Sequence, residues 1–190
     1  QQMQAPNLTL IQNFSFQDYS AAPRNWGIAQ DGNGLMYFAN DDGLLEFDGV
    51  SWRLLKPLKN ASIYSIAIDD SGNLFVGGLG EFGYFPTGKR NAGDFIPLHN
   101  RLSPQGGSAN RVFQILATSQ GVYFRIGFRL LIRFSNYELR SWSAINGFRR
   151  SFVVHDTLYV ATRRGLLRMR SDSLHHVQSS ELFRGNNIQE

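Results

Sequence analysis

The sequence contains no cysteine, which excludes disulfide bonds and thiolate metal sites. Its four histidines are scattered without the spacing of metal ligands, so we expect neither a metal site nor a cofactor. Long apolar runs are also missing, and none approaches the roughly 18–20 residues that a membrane-spanning helix needs. The chain is instead rich in phenylalanine (15), tyrosine (7) and glycine (19), a balance that favours short β-strands joined by turns.

Charge is unevenly divided along the chain. The net charge is +4, yet residues 1–95 carry six lysines and arginines against ten acids. Residues 96–190 carry thirteen arginines and no lysine against five acids. This asymmetry predicts an anionic partner or an interface on the second half. Because the arginines are dispersed, without a helix or an aromatic motif that reads bases, we expect no nucleic-acid binding.

A β-rich unit recurs four times. Its aromatic strand reads GLMYFAN, GNLFVGG, GVYFRIG and TLYVATR at residues 34–40, 72–78, 121–127 and 157–163. The alignment places four aromatic residues in one column, spaced 38, 48 and 36 residues apart: Tyr37, Phe75, Tyr123 and Tyr159. In each unit a β-rich segment and a tight turn precede this strand, and a further turn leads to a third strand. A repeat of about 40 residues with short strands is typical of a four-stranded propeller blade.

The sequence therefore predicts an all-β fold, a β-propeller of four-stranded antiparallel blades. The predicted units are 13–60, 61–100, 108–146 and 147–178, followed by residues 179–190 as a tail or the start of a truncated fifth blade. Closed propellers have four to eight blades. Because the sequence stops in mid-pattern, we expect the N-terminal part of a larger propeller rather than a closed ring of four.

The first unit resembles a known family. Residues 13–55 are similar to the first blade of the periplasmic sensor region in two-component-type regulators, which carry regulator-propeller repeats and a triple-tyrosine domain. The matching positions in unit one are Ile28, Asp31, Gly34, Tyr37, Gly43, Leu44, Phe47, Asp48 and Gly49. Unit four retains Tyr159, Ala161, Thr162, Gly165 and Leu166. Units two and three depart from the pattern, since neither has the Gly-Leu turn and the third also lacks the Asp.

The resemblance implies a seven-bladed periplasmic sensor that binds oligosaccharides released from glycans in a Bacteroides-type bacterium. A downstream transmembrane helix would then couple it to a histidine kinase, often a hybrid, or to a helix-turn-helix output that regulates transcription. The remaining blades would be its structural partners, and the membrane would be reached only through that downstream segment. The opening QQMQAPN also looks like the start of a mature chain after signal-peptide removal.

Loop order selects candidate binding residues. In a four-stranded blade, the loop before the first strand and the turn after the second strand lie on the same face, at one end of the central channel. These loops supply the predicted ligand-binding residues, Arg24, Asn25, Trp26, Asn40, Tyr64, Arg111, Arg129, Arg149, Arg150, Arg163 and Arg164. Arginine binds carboxylate or sulfate through its planar fork, and aromatic faces stack on sugars. We therefore expect an oligosaccharide ligand, acidic ones included.

Three other interpretations compete with this one. Propellers also host glycosidases and lyases, for which the acids near this face are Asp41, Asp42 and Glu81, but no paired arrangement emerges and we expect no catalytic residue. A protein-interaction scaffold and a homodimer stay open, because repeats alone do not specify function. Finally, a single surface arginine is more often solvated than bound.

Overall fold

The computed structural model describes residues 12–60, 62–102, 110–145 and 147–178. These residues form four antiparallel sheets of four strands each, and within every sheet neighbouring strands are consecutive in the chain. The predicted tail at 179–190 lies outside the described residues. No helix in the described ranges is long and apolar enough to cross a bilayer.

The strands are short and separated by tight turns. The first sheet follows a short helix, α1 Phe16–Tyr19, and comprises β1 Asn25–Gln30, β2 Met36–Asn40, β3 Gly43–Phe47 and β4 Trp52–Leu55. The second comprises β5 Ser65–Ile68, β6 Leu74–Gly77, β7 Phe82–Phe85 and β8 Ile96–Pro97, with 3₁₀ turns at Ala92–Asp94 and His99–Arg101. The third comprises β9 Val112–Thr118, β10 Gly121–Ile126, β11 Leu130–Ser135 and β12 Glu138–Ser143. The fourth comprises β13 Phe148–Val154, β14 Thr157–Thr162, β15 Gly165–Arg170 and β16 Ser173–His176.

The first strands of successive sheets lie side by side. Strand β5 packs against both β1 and β9, and β9 packs against β13. The four sheets therefore fan out from a shared line, which is the radial arrangement of propeller blades. This confirms the fold class predicted from the repeat.

The aligned aromatic residues occupy equivalent places on the second strand of each blade. Tyr37, Phe75 and Tyr123 are 0%, 1% and 2% exposed, because each is covered by the following blade. Burying one such ring contributes about 1.5–3 kcal/mol to stability. Tyr159, on the last described blade, is only partly buried.

Turn chemistry differs between blades one and four. In blade one, the Asp31 carboxylate accepts hydrogen bonds from the N–H groups of Asn33 and Leu35, at 2.9 and 3.1 Å. The Asp-x-x-Gly turns thus hold the first hairpins together, as their spacing predicts. In blade four, a two-residue turn joins the same strands, and His155 and Asp156 adopt φ of 46° and 59°. Left-handed conformations at both turn residues are typical of a type I′ hairpin, which here forms without glycine.

Candidate functional site

The predicted binding residues lie at one end of the blades. The register pairs the start of each first strand with the end of the second, as in Asn25 with Asn40 and Phe148 with Thr162. Loops that enter the first strand and leave the second therefore share one face. We call this face the channel end.

Five residues make direct contact at the channel end. They are named here the Arg111 cluster and comprise Arg24, Trp26, Asp41, Tyr64 and Arg111. The Arg111 guanidinium carbon lies 4.0 Å from the centroid of the Trp26 ring and 3.9 Å from that of Tyr64. The two rings meet edge to face at 5.5 Å, and Arg24 covers the Trp26 ring at 4.4 Å. Four of the predicted site residues are thus brought together, and Asp41 joins them.

The backbone around Arg111 fixes this position between blades two and three. Its carbonyl accepts a hydrogen bond from Gly127 N at 2.9 Å, and Arg111 forms an isolated β-bridge with Leu79. The next residue, Val112, donates its N–H to the Gly78 carbonyl at 2.9 Å. Blade three therefore carries the Arg111 side chain across to rings from blades one and two. Its Nε is buried and has no hydrogen-bond partner among the described residues.

The acid of the cluster orients two of its members. Asp41 accepts a hydrogen bond from Trp26 Nε1 at 2.7 Å and forms an ion pair with Arg24 at 2.8 Å. Burial raises the pKa of Asp41, but these hydrogen bonds and the charges of Arg24 and Arg111 outweigh burial and leave the pKa below its ordinary value. Asp41 is therefore a carboxylate at neutral pH.

Two predicted residues, Asn25 and Asn40, support the cluster through hydrogen bonds that hold the loop carrying Arg24 and Trp26. Asn40 is fully buried, and its Nδ2 donates to the carbonyls of Ala22 and Arg24 and to Asn25 Oδ1, at 2.7, 3.2 and 2.8 Å. Its side chain therefore holds the loop that presents Arg24 and Trp26 and has no free polar group directed at the channel. Asn25 accepts one of these hydrogen bonds and therefore helps to hold the same loop.

One charged residue at this end was not selected from the sequence. Arg125 lies on β10, is only 8% exposed, and places its guanidinium carbon 5.1 Å from the Phe113 ring. Arg111 contacts the same ring at 5.2 Å. Burial, followed by repulsion from Arg150, lowers the pKa of Arg125 to about 10. Among the described residues no acid forms a salt bridge with it, and its Nε donates to Gln114 Oε1 at 3.4 Å.

The remaining predicted arginines lie at the same edge, on blades three and four. All are exposed: Arg129, Arg149, Arg150, Arg163 and Arg164. Arg149 and Arg150 fall at a bulge in β13, where the register shifts between Phe148 and Ser151. Phe152, further along the same strand, stacks on Tyr159 at 5.8 Å. The arginine–ring contacts of the Arg111 cluster and of Arg125 join residues of blades one to three.

Other arginines serve the contacts between blades. Arg133 of blade three lies 2.5 Å from Asp172 of blade four, and Arg140 pairs with the same carboxylate. Burial lowers the pKa of Arg133, but bonds with Tyr123 and Asp172 outweigh burial and raise the pKa overall. Both arginines therefore have a fixed anionic partner within the fold.

Two of the three acids near the channel end, Asp41 and Glu81, use their carboxylates in local contacts. Asp41 holds Trp26 and Arg24, as described, and Glu81 accepts a hydrogen bond from the Asn60 N–H at 3.2 Å. The Asp42 N–H donates to Asn40 Oδ1 at 2.9 Å within the same turn. No group of three or more metal-binding side chains occurs in the described ranges. The Arg111 cluster therefore consists of two cations, two rings and one paired carboxylate.

Comparisons with known proteins give a fold and no family. No family model matches the sequence, and no curated protein matches it.

Solved structures match the fold at low identity. Virginiamycin B lyase from Staphylococcus aureus superposes with a TM-score of 0.60 at 11% identity, over 83% of this chain and 57% of the lyase. The extracellular domain of a proposed one-component system from B. thetaiotaomicron gives 0.58 at 18%, over 82% of this chain and 22% of that one. The extracellular domain of a proposed hybrid two-component system from the same species gives 0.57 at 16%, over 76% and 21%. The chain is thus shorter than each of these proteins. At such identities the likeness shows the propeller fold, which an enzyme and these extracellular domains share.

Proposed function

We propose that the chain is the ligand-sensing part of an extracytoplasmic receptor and that the channel end binds an oligosaccharide carrying carboxylate or sulfate groups. The single observation that carries this proposal is Arg111, whose guanidinium lies against both the Trp26 and the Tyr64 ring and forms no salt bridge with a described acid. A guanidinium held in this way keeps donors for an anion while the neighbouring rings offer faces for a sugar.

The electrostatics of the channel end support an acidic ligand over a neutral one. Arg125 is buried near Phe113 without a carboxylate partner among the described residues, and Arg150 adds a repelling charge. A desolvated cation in this situation is stabilised when an anion arrives. The exposed arginines of blades three and four extend the positive surface along a chain of sugars.

The sensor role rests on two further supports. Similar solved structures include extracellular domains of proposed one-component and hybrid two-component systems, and unit one resembles the periplasmic part of such regulators. In this proposal the chain is periplasmic, and a segment beyond it passes the binding signal to a cytoplasmic kinase or a DNA-binding output. Binding without turnover is favoured because Asp41, the acid in the cluster, is held as a paired carboxylate and is unsuited to act as a general acid.

Isothermal titration calorimetry with matched oligosaccharides tests the proposal. We expect uronate-containing or sulfated oligosaccharides to bind, and neutral ones of equal length to bind ~10-fold or more weakly, since one charge-assisted bidentate contact is worth about 1.5–3 kcal/mol. Arg111→Lys keeps the charge but loses the planar stacking, so it should weaken binding ~10-fold.

Arg170→Gln is the matched control, because it removes one exposed arginine of blade four that the proposal does not place at the channel end. Its affinity should equal that of the unmodified chain. Equal affinities of the unmodified chain and Arg111→Lys, or tighter binding of the neutral series, would contradict the proposal.

A further inference from the structure

The outer flank of blade four carries a cross-strand row that faces away from blade three. The register places Phe152 opposite Tyr159, Tyr159 opposite Arg168, and Arg168 opposite His175. We call these four residues the blade-four row. Beside the row lies a surface concavity of about 460 Å³, lined among others by Tyr159, Arg168 and His175.

The same row occurs in blade three, where it is covered. There the register aligns Leu116, Tyr123, Arg133 and Arg140. Blade four packs on this row and brings Asp172, from its turn between the third and fourth strands, onto both arginines. Across its second, third and fourth strands, blade three thus has a tyrosine, an arginine and a second basic residue. The blade-four row has the same types of side chain in the same order.

Blade one has a related cross-strand row, in which the charged residue is an acid instead of an arginine. Its row includes Tyr37 and Glu46, and blade two covers it. Arg90, from the segment between the third and fourth strands of blade two, donates from Nε to the Tyr37 hydroxyl at 3.0 Å. In both interfaces, the covering blade thus uses the connection between its third and fourth strands to place a charged side chain on the row.

We propose that the blade-four row is an interblade surface, and that its occupant is a further four-stranded blade with a carboxylate at the position of Asp172. Within the described ranges, no acid forms a salt bridge with Arg168, and Tyr159 is less buried than Tyr37 or Tyr123. An acid on the covering blade would pair with Arg168 as Asp172 pairs with Arg133. This inference concerns a different surface from the ligand site and stands independently of it.

Blade four itself is a suitable probe, because its Asp172 already fits a row of this chemistry. A second copy of residues 146–178, inserted after Gln178, leaves four residues between β16 and the first strand of the copy, as between β12 and β13. The copy carries Tyr159→Phe, so that the tryptic peptide containing the original Tyr159 has a unique mass. Hydroxyl-radical labelling of the tyrosine rings then reports burial of the original Tyr159, with Tyr123 as the buried reference and Tyr137, 77% exposed, as the exposed reference.

We expect the insertion to reduce labelling of the original Tyr159 several-fold, towards the rate of Tyr123. Asp172→Asn within the copy should restore much of the labelling. A charge exchange, Arg168→Asp in the original blade with Asp172→Arg in the copy, should protect Tyr159 again, whereas Arg168→Asp alone should not.

Three results would overturn the inference. Labelling of Tyr159 that the insertion leaves unchanged would show that a blade does not cover the row. If the copy with Asp172→Asn protected the original Tyr159 as well as the copy that keeps Asp172, a carboxylate on the covering blade would not be required. Failure of the charge exchange to restore protection would lead to the same conclusion. Protection of Tyr159 in the unmodified chain that rises with protein concentration would identify a second copy of the chain as the occupant.

Discussion

Four arginines of blade three fall into two groups with opposite surroundings. Between blades three and four, Arg133 and Arg140 meet the Asp172 carboxylate. At the channel end, Arg111 lies among aromatic rings and Arg125 is buried beside Phe113, neither with a salt bridge to a described residue. Both groups come from the same basic half of the sequence.

The difference separates a structural from a functional use of the same side chain. Arg133 is a largely buried cation with its own carboxylate, and breaking that pair costs stability. Arg125 is buried without a carboxylate partner in the described ranges, and it carries a desolvation cost that an incoming anion would offset. We assign the first kind to blade packing and propose that the second serves ligand binding, a distinction that substitutions can test.

The largest effect is expected for Asp172→Ala. The substitution leaves Arg133, whose side chain is 11% exposed, without its carboxylate. Removing one partner of a buried pair costs ~3–5 kcal/mol, and we expect about 2 kcal/mol because Asp172 is 35% exposed and the pair is partly screened. Urea unfolding measures the loss, and Asp70→Ala, an exposed acid on a turn, is the control. Ligand affinity should not change; a loss of affinity with intact stability would reverse the roles of the two groups.

Arg125→Met should keep stability and weaken ligand binding, the reverse of what is expected for Asp172→Ala. Replacing a buried cation that lacks a carboxylate by an apolar side chain of similar volume is neutral or stabilising by roughly 1 kcal/mol. The same change should weaken binding of an acidic oligosaccharide ~10-fold, as loss of one charge-assisted contact would. Urea unfolding and calorimetry on one preparation give both values. Destabilisation beyond ~2 kcal/mol would place Arg125 with the structural arginines.

The sequence predicted the fold and part of the channel end. The aromatic column identified the second strand of every blade, and loop order placed Arg24, Trp26, Tyr64 and Arg111 together, since both follow from local patterns. Arg125 was missed because a charged residue inside an apolar strand shows its surroundings only when the neighbouring blade is in place. The pairing of Asp172 with two arginines of another blade was missed for the same reason.

Tyr37→Phe sharpens the comparison at another interface. Here Arg90 donates to the Tyr37 hydroxyl at 3.0 Å, and the hydroxyl in turn donates to the Asp31 carboxylate at 3.2 Å. Arg90 itself forms no salt bridge with a described acid. Loss of both bonds should cost about 1–1.5 kcal/mol, less than Asp172→Ala, in the same unfolding assay. Tyr137→Phe serves as the control, because that ring is 77% exposed and its substitution should leave stability unchanged. A loss as large as that of Asp172→Ala would show that direct pairing of an arginine with a carboxylate is not what distinguishes the strongest interblade contact.

The smallest effect concerns Asp48, which occupies the turn of blade one that corresponds to the Asp172 turn. Hydrogen bonds from the Ser51 and Val50 N–H groups and the Ser51 hydroxyl lower the pKa of Asp48 from 3.8 to about 2. Because the folded protein lowers this pKa, the contribution of ionised Asp48 to stability is present above pH 3.8 and is lost as the pH falls from 3.8 towards about 2. Asp48→Asn should therefore flatten the acid dependence of the unfolding midpoint in that window. An unchanged profile would assign the acid sensitivity to other carboxylates.

The indole N–H signals of the chain test the central claim most directly. The sequence has three tryptophans, and two report on the two arginine groups: Trp26 Nε1 donates to Asp41, and Trp142 Nε1 donates to the Asp172 carbonyl. During titration of the ¹⁵N-labelled chain with an acidic oligosaccharide, we predict that the Trp26 signal shifts with ligand concentration while the Trp142 signal stays in place. A shift of Trp142 with Trp26 unmoved would place the ligand between the blades and contradict the account.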